Sequence, residues 1–380
     1  MDLYLDNAAA MRPTGNIPER FSELLRNCYV NGEAGSLEAF RGRKLLAETD
    51  EKMLFALLGK DHNAVSFYTN SGTEALNGAG FLLQEELKKD SCGRILTTRG
   101  EHPAMLQLLL RLAENTGRKL EFIPLDPQGG FAQEKLKELL AEKEKIDLVA
   151  IHHVQSETGR IQDLVTLRNM LNEKDPSIIL LADTIQSAGK IPLPWKEAKL
   201  DFAFLSGQKV GSPSGGILLT GKKWKKKVED VRFKSHLLGR CPLPCGILTA
   251  ETFTRFAENL AGNMERVSFI NHFLREKAKE TVPDLSSTLP PEKASPWILH
   301  FLTYPLEGAI LTRMLGEKNI TVSAGSACSA ETNSPSPVLL AMGIPEKKAF
   351  GSLRISFSGE ETEENITELA VSLRECMEKY

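Results

Sequence analysis

The chain has 380 residues, 41% of them hydrophobic and 26% charged, with a formal net charge of -3. That is the composition of an ordinary globular protein, long enough for two domains and for a large core without staples. A near-balanced charge supplies no global basic field and so excludes bulk electrostatic attraction to nucleic acid.

The opening stretch MDLYLDNAAAMRP has no basic region followed by an apolar run, so no secretory signal is expected. No segment approaches the ~18 apolar residues that a membrane span needs. Six widely spaced cysteines indicate reduced thiols and a cytoplasmic location, and Cys241 and Cys245 are expected to be ordinary thiols, not half of a metal site. Leu46, Met53, Leu54, Leu57 and Leu58 predict a helix over 45–59. Strands are predicted at 65–68, 94–98, 120–124, 148–152, 178–182, 202–205 and 216–220. Helices are predicted between most of them, at 73–89, 103–116, 133–143 and 164–173. Strands alternating with helices specify an α/β fold with a mostly parallel sheet. The dense basic run from Lys222 to Lys227 around Trp224 predicts a solvated helix face.

Beyond about residue 246 the pattern changes. One long helix is expected over 249–279, then short strands at 297–303, 320–323 and 352–356, and a closing amphipathic helix over 362–377. The expected organisation is a large α/β domain over 14–248 and a smaller α+β domain built from 1–13 and 249–380.

Ligands of open α/β sheets bind beyond the carboxyl ends of the strands, so the residues just after each strand matter most. Ser71, Gly72 and Thr73 stand where a turn enters a helix, which suits both an ordinary N-cap and a phosphate cradle. His102 precedes Pro103 in RGEHPA. Asp183 closes a run of Ile178, Ile179, Leu180 and Leu181, where a carboxylate needs either backbone N–H groups or a cation such as a protonated pyridine nitrogen. Gln186 follows three residues on. Lys209 lies in a turn rich in Gly and Ser, as a surface lysine or as an amine desolvated enough to form a Schiff base. Cys328 sits in SAGSACSAETNSPSP, among small residues that argue against a packed core and for an exposed loop.

In this order and at these spacings, the segments YLDNAAAMRP, TNSGTEALN, RGEH, HHVQSETGRIQD, DTIQSAGK, SGQK, SAGSACS and SLRISFS resemble the cysteine desulfurases of the NifS and IscS kind, class V fold-type I enzymes dependent on pyridoxal 5′-phosphate. The resemblance runs nearly end to end. It implies that Lys209 forms the Schiff base, that Asp183 pairs with the pyridinium nitrogen, and that Gln186 meets the phenolic oxygen. It implies that His102 stacks on the ring and shuttles protons, and that Gly72, Thr73, Ser206 and Gln208 hold the phosphate. It further implies that Arg354 clamps the substrate carboxylate, that Asn7 and Ala8 line the substrate pocket, and that Cys328 takes sulfur from L-cysteine as a persulfide. A homodimer and a sulfur-acceptor or scaffold protein come with it, serving iron–sulfur cluster or thiolation pathways. The chain departs from the family pattern at Gln155 and Ser156, where Asn-Asn is usual and Ser156 takes the place of the residue that meets the ring oxygen. It departs also at Gln208, where His is usual, and at 239–252, where Thr249 stands in for a threonine that reaches a partner subunit's phosphate. Ala9 and Ala10 replace a common Thr pattern. These mark a divergent member, with a class V aminotransferase, a selenocysteine lyase or a catalytically weak scaffold as alternatives.

Overall fold

Among the described residues there are twelve strands: β1 (Leu3–Tyr4), β2 (Ala64–Thr69), β3 (Arg94–Thr98), β4 (Lys119–Ile123), β5 (Ile146–His152), β6 (Ile179–Asp183), β7 (Phe202–Ser206), β8 (Gly216–Gly221), β9 (Ser286–Ser287), β10 (Ile298–Leu302), β11 (Ile320–Thr321) and β12 (Ser352–Ser356). The computed structural model describes residues 2–87, 93–235, 241–283, 285–325 and 334–379, and Cys328 lies outside them. Seven strands form one sheet in the order β2-β8-β7-β6-β5-β3-β4. Strands β4, β3, β5, β6 and β7 pair in parallel, while β8 runs antiparallel to both its neighbours. The fold is thus the expected α/β architecture of the fold-type I enzymes.

Strand β5, IDLVAIH, is buried along its whole length, as parallel strands covered on both faces are. Successive side chains divide between two cores. Leu148 and Ala150 of β5, Ile179 and Leu181 of β6, and Phe202 and Phe204 of β7 pack with helices Gly72–Leu87 and Pro103–Thr116. Val149, Ile151, Leu180, Ala182, Ala203 and Leu205 pack on the reverse face with helices Gln133–Ala141 and Leu164–Lys174. Continuing this two-residue period, His152, Asp183 and Ser206 emerge from three neighbouring strand ends on the first face. Parity alone therefore converges three polar side chains at one spot.

The C-terminal region adds an antiparallel sheet, β12-β10-β9, and β1 pairs in parallel with β11. That pairing joins the N-terminal strand to the C-terminal region. The single helix expected over 249–279 is two helices, Leu243–Glu258 and Leu260–Thr281. Asn259, at φ -100° and ψ 15°, closes the first by donating its N–H to Ala257 and Arg255. The expected boundary at 248 falls inside that first helix. The helix expected from 45 begins earlier, at Leu37, where the Ser36 hydroxyl accepts the Ala39 N–H. In the basic run, Trp224 is buried against Phe202 and donates its indole N–H to Asp201 (3.1 Å), while the lysines stay exposed. Among the described residues no helix is long and apolar enough to cross a membrane.

Strand β8 lies directly beneath the turn that enters helix Gly72–Leu87: a Cβ at Gly216 would overlap the Ser71 carbonyl and lie 2.7 Å from the Gly72 nitrogen. Gly216→Ala is expected to cost about 1–3 kcal/mol, the usual penalty for forcing atoms into a filled space. Gly262→Ala meets nothing within 4 Å and is expected to be neutral or stabilising, because alanine loses less backbone entropy on folding. Thermal denaturation of the two variants checks the contrast.

Candidate active site

At the carboxyl ends of β5, β6 and β7 lies a cavity of about 220 Å³. The first turn of helix Gly72–Leu87 forms one wall. Ser71 caps this helix by accepting the Glu74 N–H (3.2 Å), and Glu74 reaches back to the Asn70 N–H (2.7 Å). The first N–H groups of the helix, which have no intrahelical acceptor, are left to face the cavity. A Cβ at residue 72 would press on Ile185 and Ser206 at 3.0 and 3.1 Å, so glycine lets the turn close onto the β7 end. Thr73, Ser206 and Gln208 complete this side.

Asp183 stands at the cavity's floor. One carboxylate oxygen accepts the Ile185 N–H at 2.9 Å, and the other has no hydrogen bond among the described residues. Burial pushes this carboxyl above the usual carboxylate range, against the pull of the Ile185 N–H and the His102 ring. Both readings of Asp183 therefore meet: it caps its own turn and also keeps an oxygen for a cation. His102 is the N-cap of helix Pro103–Thr116 and accepts the Ala104 N–H through Nδ1 (3.2 Å). Its neutral form thus carries the proton on Nε2. Burial lowers its pKa, with Asp183 opposing and Lys209 assisting.

The sequence reading did not single out His152, which lines the same cavity and pairs in register with Asp183. Gln162 accepts the Phe131 N–H (3.1 Å) and donates to the Gly129 carbonyl (2.8 Å), which fixes its amide. Its remaining N–H meets His152 Nε2 at 3.0 Å, so His152 holds its proton on Nδ1 and donates to Glu101 at 2.8 Å. Glu101 also accepts from Thr98 (2.7 Å). The only sequence signal was the doubled histidine after an apolar run.

Lys209 occupies the turn Gly207–Lys209 that follows β7, and its ammonium donates to the Ala9 carbonyl. The segment of Ala8 and Ala9 forms the opposite wall. Gln186 donates to the Ala8 carbonyl (2.8 Å), leaving its own oxygen buried without a partner among the described residues. Arg354, on β12, donates to the Ser156 carbonyl (2.9 Å) and to Asp6 (2.6 Å), and its Nε is buried without a partner among the described residues. Ser156 lines the cavity beside it.

Two expectations need correction. The Asn7 side chain does not line the cavity; its amide donates to the Ser356 carbonyl (2.9 Å) and pins the N-terminal turn to β12. Thr249 is wholly buried in its own chain, donating to the Ser214 carbonyl (2.8 Å) beneath the lysine turn, so it is not presented to a partner. The expected role of Cys328 falls outside the described residues.

The cavity fits pyridoxal 5′-phosphate. A helix N-terminus with hydroxyl groups suits the phosphate. The unpaired oxygen of a buried carboxylate suits a ring N–H, and two polar atoms of residues lining the same cavity, Gln186 Oε1 and Arg354 Nε, have no partner among the described residues. In the cofactor-free protein the folded state holds the Asp183 proton more tightly than the unfolded chain does. The stability this contributes is present below the ordinary carboxylate pKa and is lost as pH rises through the raised folded value. Asp183→Asn removes that loss. The cofactor-free variant is therefore expected to gain stability on the wild type as pH rises from the ordinary carboxylate range through the raised folded value, seen as a Tm difference that grows with pH. A difference that shrinks over this range would contradict the assignment.

The aminotransferase class-V family model matches residues 3–369. A cysteine desulfurase of Nostoc sp. is 28% identical, with 99% of this chain and 93% of that protein aligned. The cysteine desulfurase NifS of Azotobacter vinelandii is 27% identical, over 96% and 90%. Among solved structures, a NifS-like protein superposes with a TM-score of 0.86 at 22% identity over the whole of both chains. SspA in complex with cysteine does so at 0.72 and 22% identity, over 95% of this chain and all of the other. At such identities the superpositions speak for the fold, and the family match for descent: the chain belongs to the aminotransferase class-V family.

Proposed function

We propose that this protein is a cysteine desulfurase that uses pyridoxal 5′-phosphate, converting L-cysteine to L-alanine and passing the sulfur to Cys328 as a persulfide. The observation that carries the reading is the convergence of Lys209, Asp183 and the Gly72–Thr73 helix entrance on one cavity, in a chain whose full-length relatives bear that name. When bound, the cofactor supplies an electron sink conjugated to the substrate Cα. The chain's own residues do the rest. The N–H groups of Gly72 and Thr73 with the side chains of Thr73, Ser206 and Gln208 hold the phosphate. Asp183 keeps a proton on the ring nitrogen. His102 stacks on the ring face, with Gln186 and Ser156 at its oxygen edge. Lys209 is the covalent anchor, and once displaced by substrate it moves the proton at Cα. Arg354 takes the substrate carboxylate through its remaining N–H groups, and Ala8 bounds the substrate.

The Cys328 thiolate then attacks the substrate sulfur. The S–S bond would form as the Cβ–S bond breaks, the bound cofactor would supply the sink for that bond's electron pair, and protonation of the substrate's Cβ would yield alanine. The atoms balance: cysteine and a thiol become alanine and a persulfide. A thiol reductant or an acceptor protein of a cluster or thiolation pathway removes the sulfur. The reading carries with it a homodimer, a cytoplasmic location and the two-domain division described above.

With L-cysteine and dithiothreitol, the pure protein is expected to release sulfide and alanine in equal amounts. Cys328→Ala is expected to reduce both to background while keeping the cofactor's visible absorbance, and Lys209→Ala is expected to lose that absorbance. Alanine formation that survives Cys328→Ala would reject the persulfide route.

A further inference from the structure

Strand β5 runs into two consecutive histidines, and the strand's two-residue period sends them to opposite faces of the sheet. His152 faces the active-site cavity. His153 lines a second cavity of about 380 Å³ on the reverse face, between the strand ends, helix Leu260–Thr281 and residues 291–296.

Three polar groups in this lining have hydrogen-bonding capacity to spare, and two of them are buried without a partner among the described residues. His153 is 4% exposed, neither ring nitrogen has a hydrogen bond among the described residues, and Nδ1 is wholly buried. Ser295 is 0% exposed and its hydroxyl is likewise orphaned. Arg275 commits Nε to Asn271 (2.8 Å) and Nη1 to Ser287 (2.8 Å) and the Leu289 carbonyl (2.9 Å), leaving Nη2 over. Buried polar groups are ordinarily satisfied, so two in one cavity mark a missing partner, with the uncommitted Nη2 of Arg275 beside them. All three are able to donate. No Asp or Glu is in the lining, although Glu292, next to the lining residue Pro291, acts on Arg275 through space, and Ile161, Ile191 and Met264 give the cavity an apolar wall. Burial lowers the His153 pKa to about 4, so this imidazole is a neutral donor and Arg275 brings the charge.

We propose that this cavity is a binding site for a small organic carboxylate, whose oxygens are taken by Arg275, Ser295 and His153 and whose apolar body lies on Ile161, Ile191 and Met264. An ammonium group finds no acid in the lining and meets the Arg275 guanidinium's charge, so the site discriminates against amino acids, the active-site substrate included. It lies one residue along the chain from the active-site wall, and the His153 N–H donates to the Asp183 carbonyl (2.8 Å), so the two cavities share one strand end.

Isothermal titration of the full-length protein with butyrate, butyramide and L-2-aminobutyrate tests this. Butyrate is expected to bind one site per chain, and butyramide to bind it more weakly by about tenfold or more. His153→Phe and Ser295→Ala are each expected to weaken butyrate, while Arg354→Lys leaves it unchanged and weakens any aminobutyrate heat. Circular dichroism confirms that the variants fold, and the butyrate–butyramide comparison on the unaltered protein stands without them. No butyrate binding, equal binding of the neutral amide, or loss of butyrate binding only in Arg354→Lys would overturn the proposal.

Discussion

A carboxylate at the end of a buried strand governs this molecule's active face. Asp183 is carried to its place by Ile179–Ala182, and the same burial that makes β6 stable makes its terminal charge costly. One backbone N–H offsets only part of that cost. The remainder calls for a cation in the cavity, and the neighbouring groups are arranged around that need. His102 stands opposite as a helix cap, with Lys209 in the turn after β7. The Glu101–His152–Gln162 chain engages one oxygen of a second carboxylate nearby, whose other oxygen is buried without a partner among the described residues, and Asp183 is the carboxylate that lines the cavity.

The site is a consequence of sheet parity more than of any single loop. Because β5, β6 and β7 are parallel and in register, one choice of phase fixes which face every strand-end residue takes. The glycines at 72 and 216 then let the helix entrance settle onto the strand ends without an intervening side chain. Residues from the N-terminal turn and β12 close the far side, bringing Arg354 within reach although it lies 145 positions beyond Lys209 in the chain.

Much of this was legible in the sequence. The apolar runs located all seven strands of the large sheet within a few residues, since a strand buried on both faces is apolar throughout. That same uniformity hid the phase: nothing in IDLVAIH tells which face His152 takes, and so its membership of the site was missed. The errors share a cause. Asn7 and Thr249 were given roles by position in a pattern, whereas their side chains are spent on carbonyls of Ser356 and Ser214, partners that only the folded chain brings near. The break at Asn259 was hidden too, because asparagine is tolerated within helices and the apolar periodicity continues across it.

The central claim is that Asp183 exists to hold a proton on the cofactor's ring nitrogen. The 15N chemical shift of the ring nitrogen in protein loaded with 15N-labelled pyridoxal 5′-phosphate reports that proton directly. A protonated nitrogen persisting through neutral and mildly alkaline solution in the wild type, and lost in Asp183→Ala, is the predicted result. A neutral pyridine nitrogen in the wild-type protein at neutral pH would contradict the account.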